Sequence, residues 1–188
     1  MLRFPEIPMT PSLDQLLEEL DAWQERIPLH ELERALGGLA ITLEDVRPFV
    51  GFGAESYRRN LMHAGPAYQA LVLCWRNGQR SPIHDHQGSS CGVRVLSGTA
   101  LETVFARAHN SMIYALRSRS IGPGTICATE DDDIHQVSNL ADDGGDLVTL
   151  HVYSPPLLRM GTYTLFGKEM TAYQEPVYDN LLVDGGGI

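Results

Sequence analysis

Residues 78–98 read GQRSPIHDHQGSSCGVRVLSG. Both ends are turn signals: Asn77-Gly78 opens the stretch and Ser97-Gly98 closes it. Inside lies a short apolar run, 91–96, of strand character. Ahead of it stands His84-Asp85-His86. On an extended backbone, side chains two apart share a face, so the two imidazoles can converge on one ion. Asp85 alternates to the opposite face, where it is expected to brace the backbone.

The same grammar continues outward. Short apolar runs at 69–76, 100–106, 112–117, 125–129, 134–137, 147–154 and 162–166 are separated by Gly122-Pro123-Gly124, Asp142-Asp143-Gly144-Gly145 and similar turns. Many short strands with glycine-rich turns indicate a barrel or a sandwich. The first quarter differs. Ser12 and Gln15 have capping-box spacing, and Leu13, Leu16, Leu17, Leu20 and Trp23 fall on one helical face. Pro28 is expected to end that helix. A second helix is expected over 29–36, stopped by Gly37-Gly38, and a third over 42–46, before Pro48. We therefore expect a mainly β fold, with residues 1–48 as a helical segment of the same domain and residues 49–188 as the barrel. Met1 to Thr10, with Pro5 and Pro8, reads as an extended arm, and 185–188 as a loose tail.

A chain of 188 residues, 43% hydrophobic and 20% charged, suffices for one domain with a sizeable core. The formal charge of −10 argues against a nucleic-acid backbone as partner and against anionic membrane surfaces. No apolar run is long enough to span a bilayer, and the first residues lack the pattern of a signal peptide. The three cysteines, Cys74, Cys91 and Cys127, are odd in number and widely spaced. A reducing, cytoplasmic location is expected, with a monomer as the simplest state.

Residues 78–98 resemble the first motif of the cupins, G-x5-H-x-H-x4-E-x6-G, with Cys91 where the glutamate would stand. The second motif is present in part: His135 and Asn139 give its H-x3-N element, and the Gly122-Pro123-Gly124 turn lies further ahead than usual. The resemblance implies a cupin-type, jelly-roll-like barrel. The missing glutamate matters chemically. Three neutral imidazoles leave a divalent ion its full charge, which favours an anionic substrate ligand such as a thiolate and lowers the pKa of a coordinating thiol. Imidazole ligation suits Fe, Zn, Cu and Ni alike. His30, His63 and His109 read as surface residues. The acidic run 130–133 reads as a solvated loop, since hard-cation sites need carboxylates spaced around a turn.

In 147–153, Leu150 and Val152 point one way and Thr149, His151 and Tyr153 the other. The strand alone leaves open which face meets water. With the histidine motifs beside it, the inward reading is favoured: the three polar groups form a hydrogen-bond chain toward a reacting centre. Ser154-Pro155-Pro156 ends the strand, and a cis Ser-Pro bond fits there.

The chain resembles the thiol dioxygenases, and within them the cysteine dioxygenases, from about Tyr57 to Met160. Four pieces carry the resemblance: Tyr57-Arg58-Arg59-Asn60; Leu73-Cys74-Trp75 followed by Pro82-Ile83-His84-Asp85-His86; Cys91 through Gly98; and Leu150-His151-Val152-Tyr153-Ser154-Pro155-Pro156. The resemblance assigns His84, His86 and His135 to Fe(II), Arg59 to the substrate carboxylate with Tyr57 assisting, and Tyr153 to a position beside the bound thiolate and oxygen. His151 and Thr149 match the groups that hold that tyrosine. Cys91 matches a cysteine that in some members forms a thioether with it, and Trp75 matches a tryptophan for which packing is role enough. The chain departs from the pattern at Met160, where animal members have a cysteine, at Gln87-Gly88, at the extra base Arg58, and in its shorter C-terminal portion. These departures bear on pocket shape and substrate preference more than on the chemistry.

The resemblance implies that cysteine and O2 are the substrates: cysteine chelates iron through thiolate and amine, dioxygen takes the remaining position, and both oxygen atoms finish on sulfur. The nearest rival substrate is another small thiol acid such as 3-mercaptopropionate. Members preferring it usually carry glutamine at the arginine position and glycine at the Cys91 position, unlike this chain. A rival of another class is a metal-binding cupin that acts as a sensor, for which the inward chain of Thr149, His151 and Tyr153 would have no use.

Overall fold

The computed structural model describes residues 11–38, 40–130 and 133–179. The expected N-terminal arm, the tail and the middle of the acidic run lie outside them.

Two helices come first, α1 (Pro11–Asp21) and α2 (Leu29–Gly38), then a 3-10 turn at Arg47–Phe49. Among the described residues eleven strands follow: β1 (Arg58–Ala64), β2 (Gln69–Trp75), β3 (Ile83–His84), β4 (Ser90–Ser97), β5 (Ala100–Arg107), β6 (Ile113–Ile121), β7 (Ile126–Thr129), β8 (His135–Ser138), β9 (Leu147–Ser154), β10 (Met160–Tyr163) and β11 (Thr171–Tyr173). They form a five-stranded sheet, β1-β2-β9-β4-β7, and a six-stranded sheet, β11-β10-β3-β8-β5-β6, with antiparallel pairing between the named strands. This is the mainly β architecture the sequence suggests.

The five-stranded sheet is buried on both faces. On β2 and β9, Ala70, Val72, Cys74, Val148, Leu150 and Val152 pack outward against Leu13, Leu16, Leu17 and Leu20 of α1 and Leu32, Ala35 and Leu36 of α2. Leu71, Leu73, Trp75, Leu147 and Tyr153 point the other way, into the second core between the sheets. The choice of which face of β9 meets water therefore has a third answer: neither does, because the helices cover the outer one. Full burial of a leucine contributes roughly 1.5–3 kcal/mol, so the leucine stripe of α1 suffices to dock it. Two glycines permit close approaches. A Cβ on Gly92 would lie 2.7 Å from Leu36 Cδ1, so α2 settles directly onto β4 there. Gly98, with φ +78°, turns β4 into β5 where a Cβ would meet the Asp146 carbonyl at 2.4 Å.

Several local expectations need correction. The helix begins at Pro11, one residue ahead of Ser12. The helix stops at Asp21, well before Pro28. There the chain turns, with Trp23 N donating to Leu20 O at 3.2 Å, and buries Ile27, whose N–H donates to Ser154 Oγ at 2.8 Å. Residues 42–46 form a turn instead of a third helix: Asp45 Oδ2 accepts from both the N–H and the hydroxyl of Thr42, at 2.8 and 2.7 Å. Pro48 then sits inside the 3-10 turn. β1, β3 and β11 went unread because they are polar or very short. His63 is half-buried against Asp21 at 3.2 Å, whereas His30 and His109 are exposed. The Ser154-Pro155 bond is cis.

Candidate metal centre

The two-residue strand β3 lies between β8 and β10, and the register sets His84 directly opposite His135. His86 follows just beyond the strand end. Ring nitrogens of His84, His86 and His135 all lie within 4.8 Å of one another, and all three side chains are buried. Among the described residues this is the one such cluster of three or more potential ligands.

Their protonation follows from their surroundings. Burial above all, then neighbouring His135, pushes the His84 pKa down to about 3. The same causes hold His86 well below the ordinary imidazole range. Nδ1 of His84 lies 3.0 Å from the Pro82 carbonyl, and Nδ1 of His135 lies 3.3 Å from Glu102 Oε1. Carbonyl and carboxylate oxygens only accept, so in both rings Nδ1 carries the proton and a neutral ring keeps a lone pair on Nε2. Nε2 of His135 faces Nε2 of His86 at 3.2 Å. The Thr129 hydroxyl beside His86 Nδ1, at 3.3 Å, can donate or accept, so His86 can present either a proton or a lone pair to the centre. With a proton on Nε2, His86 donates to His135; with a lone pair there, the two nitrogens face a shared position that a cation can fill. This donor set fits a divalent metal ion with imidazole ligands.

Beside the histidines runs a directed chain of hydrogen bonds. Trp75 Nε1 lies 3.1 Å from Thr149 Oγ1, Thr149 Oγ1 lies 2.9 Å from His151 Nε2, and His151 Nδ1 lies 3.0 Å from the Tyr153 hydroxyl. An indole N–H can only donate. Thr149 accepts it with one lone pair, and when its own proton goes to His151 Nε2 the imidazole proton sits on Nδ1 and is donated to the Tyr153 oxygen. Burial, followed by the Arg59 charge, keeps His151 neutral. Burial first, and then Cys91, keeps the Tyr153 phenol protonated. Its O–H is thereby left to point elsewhere in the pocket. Trp75 thus does more than pack: its N–H takes one lone pair of Thr149 and favours this direction of the chain. Cys91 lies directly across from Tyr153 in the β4–β9 register, and burial pushes its thiol pKa up.

Arg59 is 2% exposed, on β1. Its Nη1 reaches the Glu175 carbonyl at 3.4 Å, while Nε and Nη2 are buried with no hydrogen-bond partner among the described residues. A desolvated guanidinium edge left this way is costly and suits an incoming anion. Tyr57 stacks on Trp75, centroids 4.0 Å apart, and burial followed by the Glu175 charge pushes its phenol pKa up. Arg58 turns away, over the Tyr178 ring at 4.4 Å. One pocket is lined by Tyr57, Arg59, Trp75, His84, His86, Cys91, His135, His151, Tyr153 and Met160. Thr149 stands one link behind it. Asp85, between the two histidines, points away and accepts from Gly161 N at 3.0 Å, from Gln87 Nε2 at 2.9 Å and from the Tyr163 hydroxyl.

Glu102 and Glu175 escaped the sequence reading. Glu102 shares the inward parity of Ala100 on β5, so a carboxylate on the core face of a strand was the available signal. Glu175 lies in a polar segment with no periodicity to place it.

The family described as "Cysteine dioxygenase type I" matches residues 23–165. Cysteine dioxygenase type 1 of Bos taurus is 33% identical over 151 residues, covering 77% of this chain and 74% of that protein. The Homo sapiens protein of the same name is 31% identical over the same length and coverage. Among solved structures, TT1209 from Thermus thermophilus aligns with a TM-score of 0.51 at 16% identity, covering 62% of this chain and 99% of that one. An uncharacterized conserved protein with a double-stranded β-helix domain from Klebsiella pneumoniae aligns with a TM-score of 0.50 at 15% identity, covering 63% and 94%. At that identity these two speak for the fold alone.

Proposed function

The chain belongs to the cysteine dioxygenase type I family, and from that premise we propose that it is an iron-dependent thiol dioxygenase converting L-cysteine and O2 to cysteine sulfinic acid. One observation carries the reading: three buried imidazoles converge beside a buried guanidinium whose Nε and Nη2 lack partners. The first is a place for a metal and the second a place for a carboxylate, within one pocket.

In this reading His84, His86 and His135 hold Fe(II), which supplies the redox chemistry that joining dioxygen to a thiol requires. Arg59 takes the substrate carboxylate on its free edge, where a charge-assisted pair gives affinity and orientation together. Tyr57 is held by Trp75 and Glu175 beside it. Thr149 and His151 keep the Tyr153 oxygen occupied as an acceptor, so its proton is available to the reacting atoms. Met160 and the stacked Tyr57 and Trp75 rings line the pocket and limit water. Sulfur supplies the electrons and both oxygen atoms finish on it, so no external reductant is consumed. The three buried free thiols, Cys74, Cys91 and Cys127, fit a reducing compartment such as the cytoplasm.

The test is oxygen uptake by iron-loaded protein with cysteine, with the product identified by mass. One sulfinate per O2 consumed is expected. Uptake with 3-mercaptopropionate but not with cysteine would reassign the substrate, and uptake with neither would end the enzymatic reading.

A further inference from the structure

The three imidazoles spend their outer nitrogens on different partners. His84 has a backbone carbonyl, His86 a hydroxyl, and His135 a carboxylate, Glu102 Oε1 at 3.3 Å. Glu102 is 3% exposed. Its second oxygen accepts from Arg119 Nε at 2.6 Å. Arg119 stands directly opposite Glu102 in the β5–β6 register, and half of its side chain, 52%, is in solvent. A continuous polar path therefore runs from a histidine of the central cluster to the outer surface of the barrel.

A carboxylate inside a barrel is expensive, and an apolar residue there would serve packing better. The cost is explained if the charge has a use. Cys91 stands where the first cupin motif has a glutamate, so the three-histidine set contains no anionic side chain. Glu102 returns one negative charge to the site from behind His135. Its contact fixes the proton on His135 Nδ1, turns Nε2 toward His84 and His86, and strengthens Nε2 as an electron donor. Arg119 shares the same carboxylate and draws part of that charge away.

We propose that Glu102 is a positioning residue that tunes the metal through His135, and that Arg119 sets from the surface how much charge the site receives. The inference rests on the metal-binding reading of the three histidines. The test uses cobalt(II), whose binding needs neither oxygen nor thiol. Metal-stripped full-length chain is titrated with cobalt against a competing chelator, and its visible absorption bands are recorded. E102Q keeps size and an acceptor oxygen but loses the charge. It is expected to weaken cobalt binding by about 10–100-fold and to shift the bands, with E102D restoring part of both. R119Q is expected to keep cobalt bound and to shift the bands in the opposite sense. E102Q that binds within twofold of the native chain and shows native bands would overturn the inference. If E102Q does not fold, R119Q decides: native bands in that variant overturn it. Native protein that binds no cobalt would refute the metal reading itself.

Discussion

Nδ1 of His151 lies 3.0 Å from the phenol oxygen of Tyr153, and the indole of Trp75, two residues up the chain of contacts, biases the direction of that bond. With the indole N–H on one lone pair of Thr149 Oγ1, the hydroxyl proton is free to go to His151 Nε2, and His151 Nδ1–H then donates to Tyr153. Without it, the threonine oxygen no longer shares its lone pairs with the indole, which favours the opposite polarity, His151 donating to Thr149 and Tyr153 donating inward to the imidazole.

Trp75→Phe is therefore expected to keep the stack with Tyr57 while lowering kcat for cysteine. One neutral hydrogen bond is worth about 0.5–1.5 kcal/mol, so the loss should be roughly 2–10-fold. KM should change little, since Arg59 is untouched. Steady-state oxygen consumption checks this, and a native kcat would show that Trp75 only packs.

Iron content should collapse in His84→Ala, His86→Ala and His135→Ala alike, because a three-ligand set has none to spare. Metal analysis of purified protein reads this directly. Zinc-loaded native protein should bind thiol and consume no oxygen, since zinc has no redox chemistry. Retained iron in His135→Ala would remove that residue from the centre.

Arg59→Gln should sharply reduce cysteine turnover. Losing one partner of a buried charge pair costs on the order of 2–5 kcal/mol. Cysteamine, lacking a carboxylate, should be a poor substrate of the native protein. Arg58→Gln should do far less, because Arg58 lies outside the pocket over Tyr178. Kinetics that single out Arg58 instead would move the carboxylate site.

Acid should destabilise the metal-free protein from a pH set by its buried imidazoles. His151 is held well below its ordinary value by burial and then by Arg59. The unfolded chain takes up a proton near pH 6.5 and the folded one does not. Stability is thus fully present above that pH and is lost as pH falls below it. His151→Gln should flatten the slope of unfolding free energy below pH 6.5 by up to about 1.4 kcal/mol per pH unit. Denaturant titrations at pH 7.5 and 5 would reveal it, and an unchanged slope would mean that His151 already titrates in the fold.

Much of the site was legible because its signals are local. His84 and His86 share a face through a two-residue period, and so do Thr149, His151 and Tyr153. Turn glycines marked most strand ends, and the leucine spacing of α1 marked its buried side. What escaped depends on register between strands distant in sequence. Glu102 meets His135 across β5 and β8, and Trp75 meets Thr149 across β2 and β9. Helix ends were misread where a tertiary demand intervened. α1 stops at Asp21 so that Ile27 can be buried, a need no proline announces.

The register that places Cys91 across from Tyr153 leads to the last prediction, a thioether between them. Both side chains are buried in the same core, and both line the pocket of the three histidines. The bond would join Sγ to the ring carbon next to the phenol oxygen. The thiol hydrogen and one ring hydrogen are lost, and the two electrons pass to dioxygen. Fixing the ring would hold the Tyr153 hydroxyl ready for the reacting atoms without reorganisation. Burial keeps the Cys91 thiol protonated, so the free thiol should be inert until iron and oxygen are present. After repeated turnover with iron and cysteine, intact mass should fall by two hydrogens, and a peptide containing both residues should be recovered after digestion. Cys91→Ser should abolish both signs yet retain activity, because Cys91 lies outside the three-histidine cluster. Protein that keeps its full mass and two separate peptides after many turnovers would eliminate the crosslink while leaving the dioxygenase reading intact.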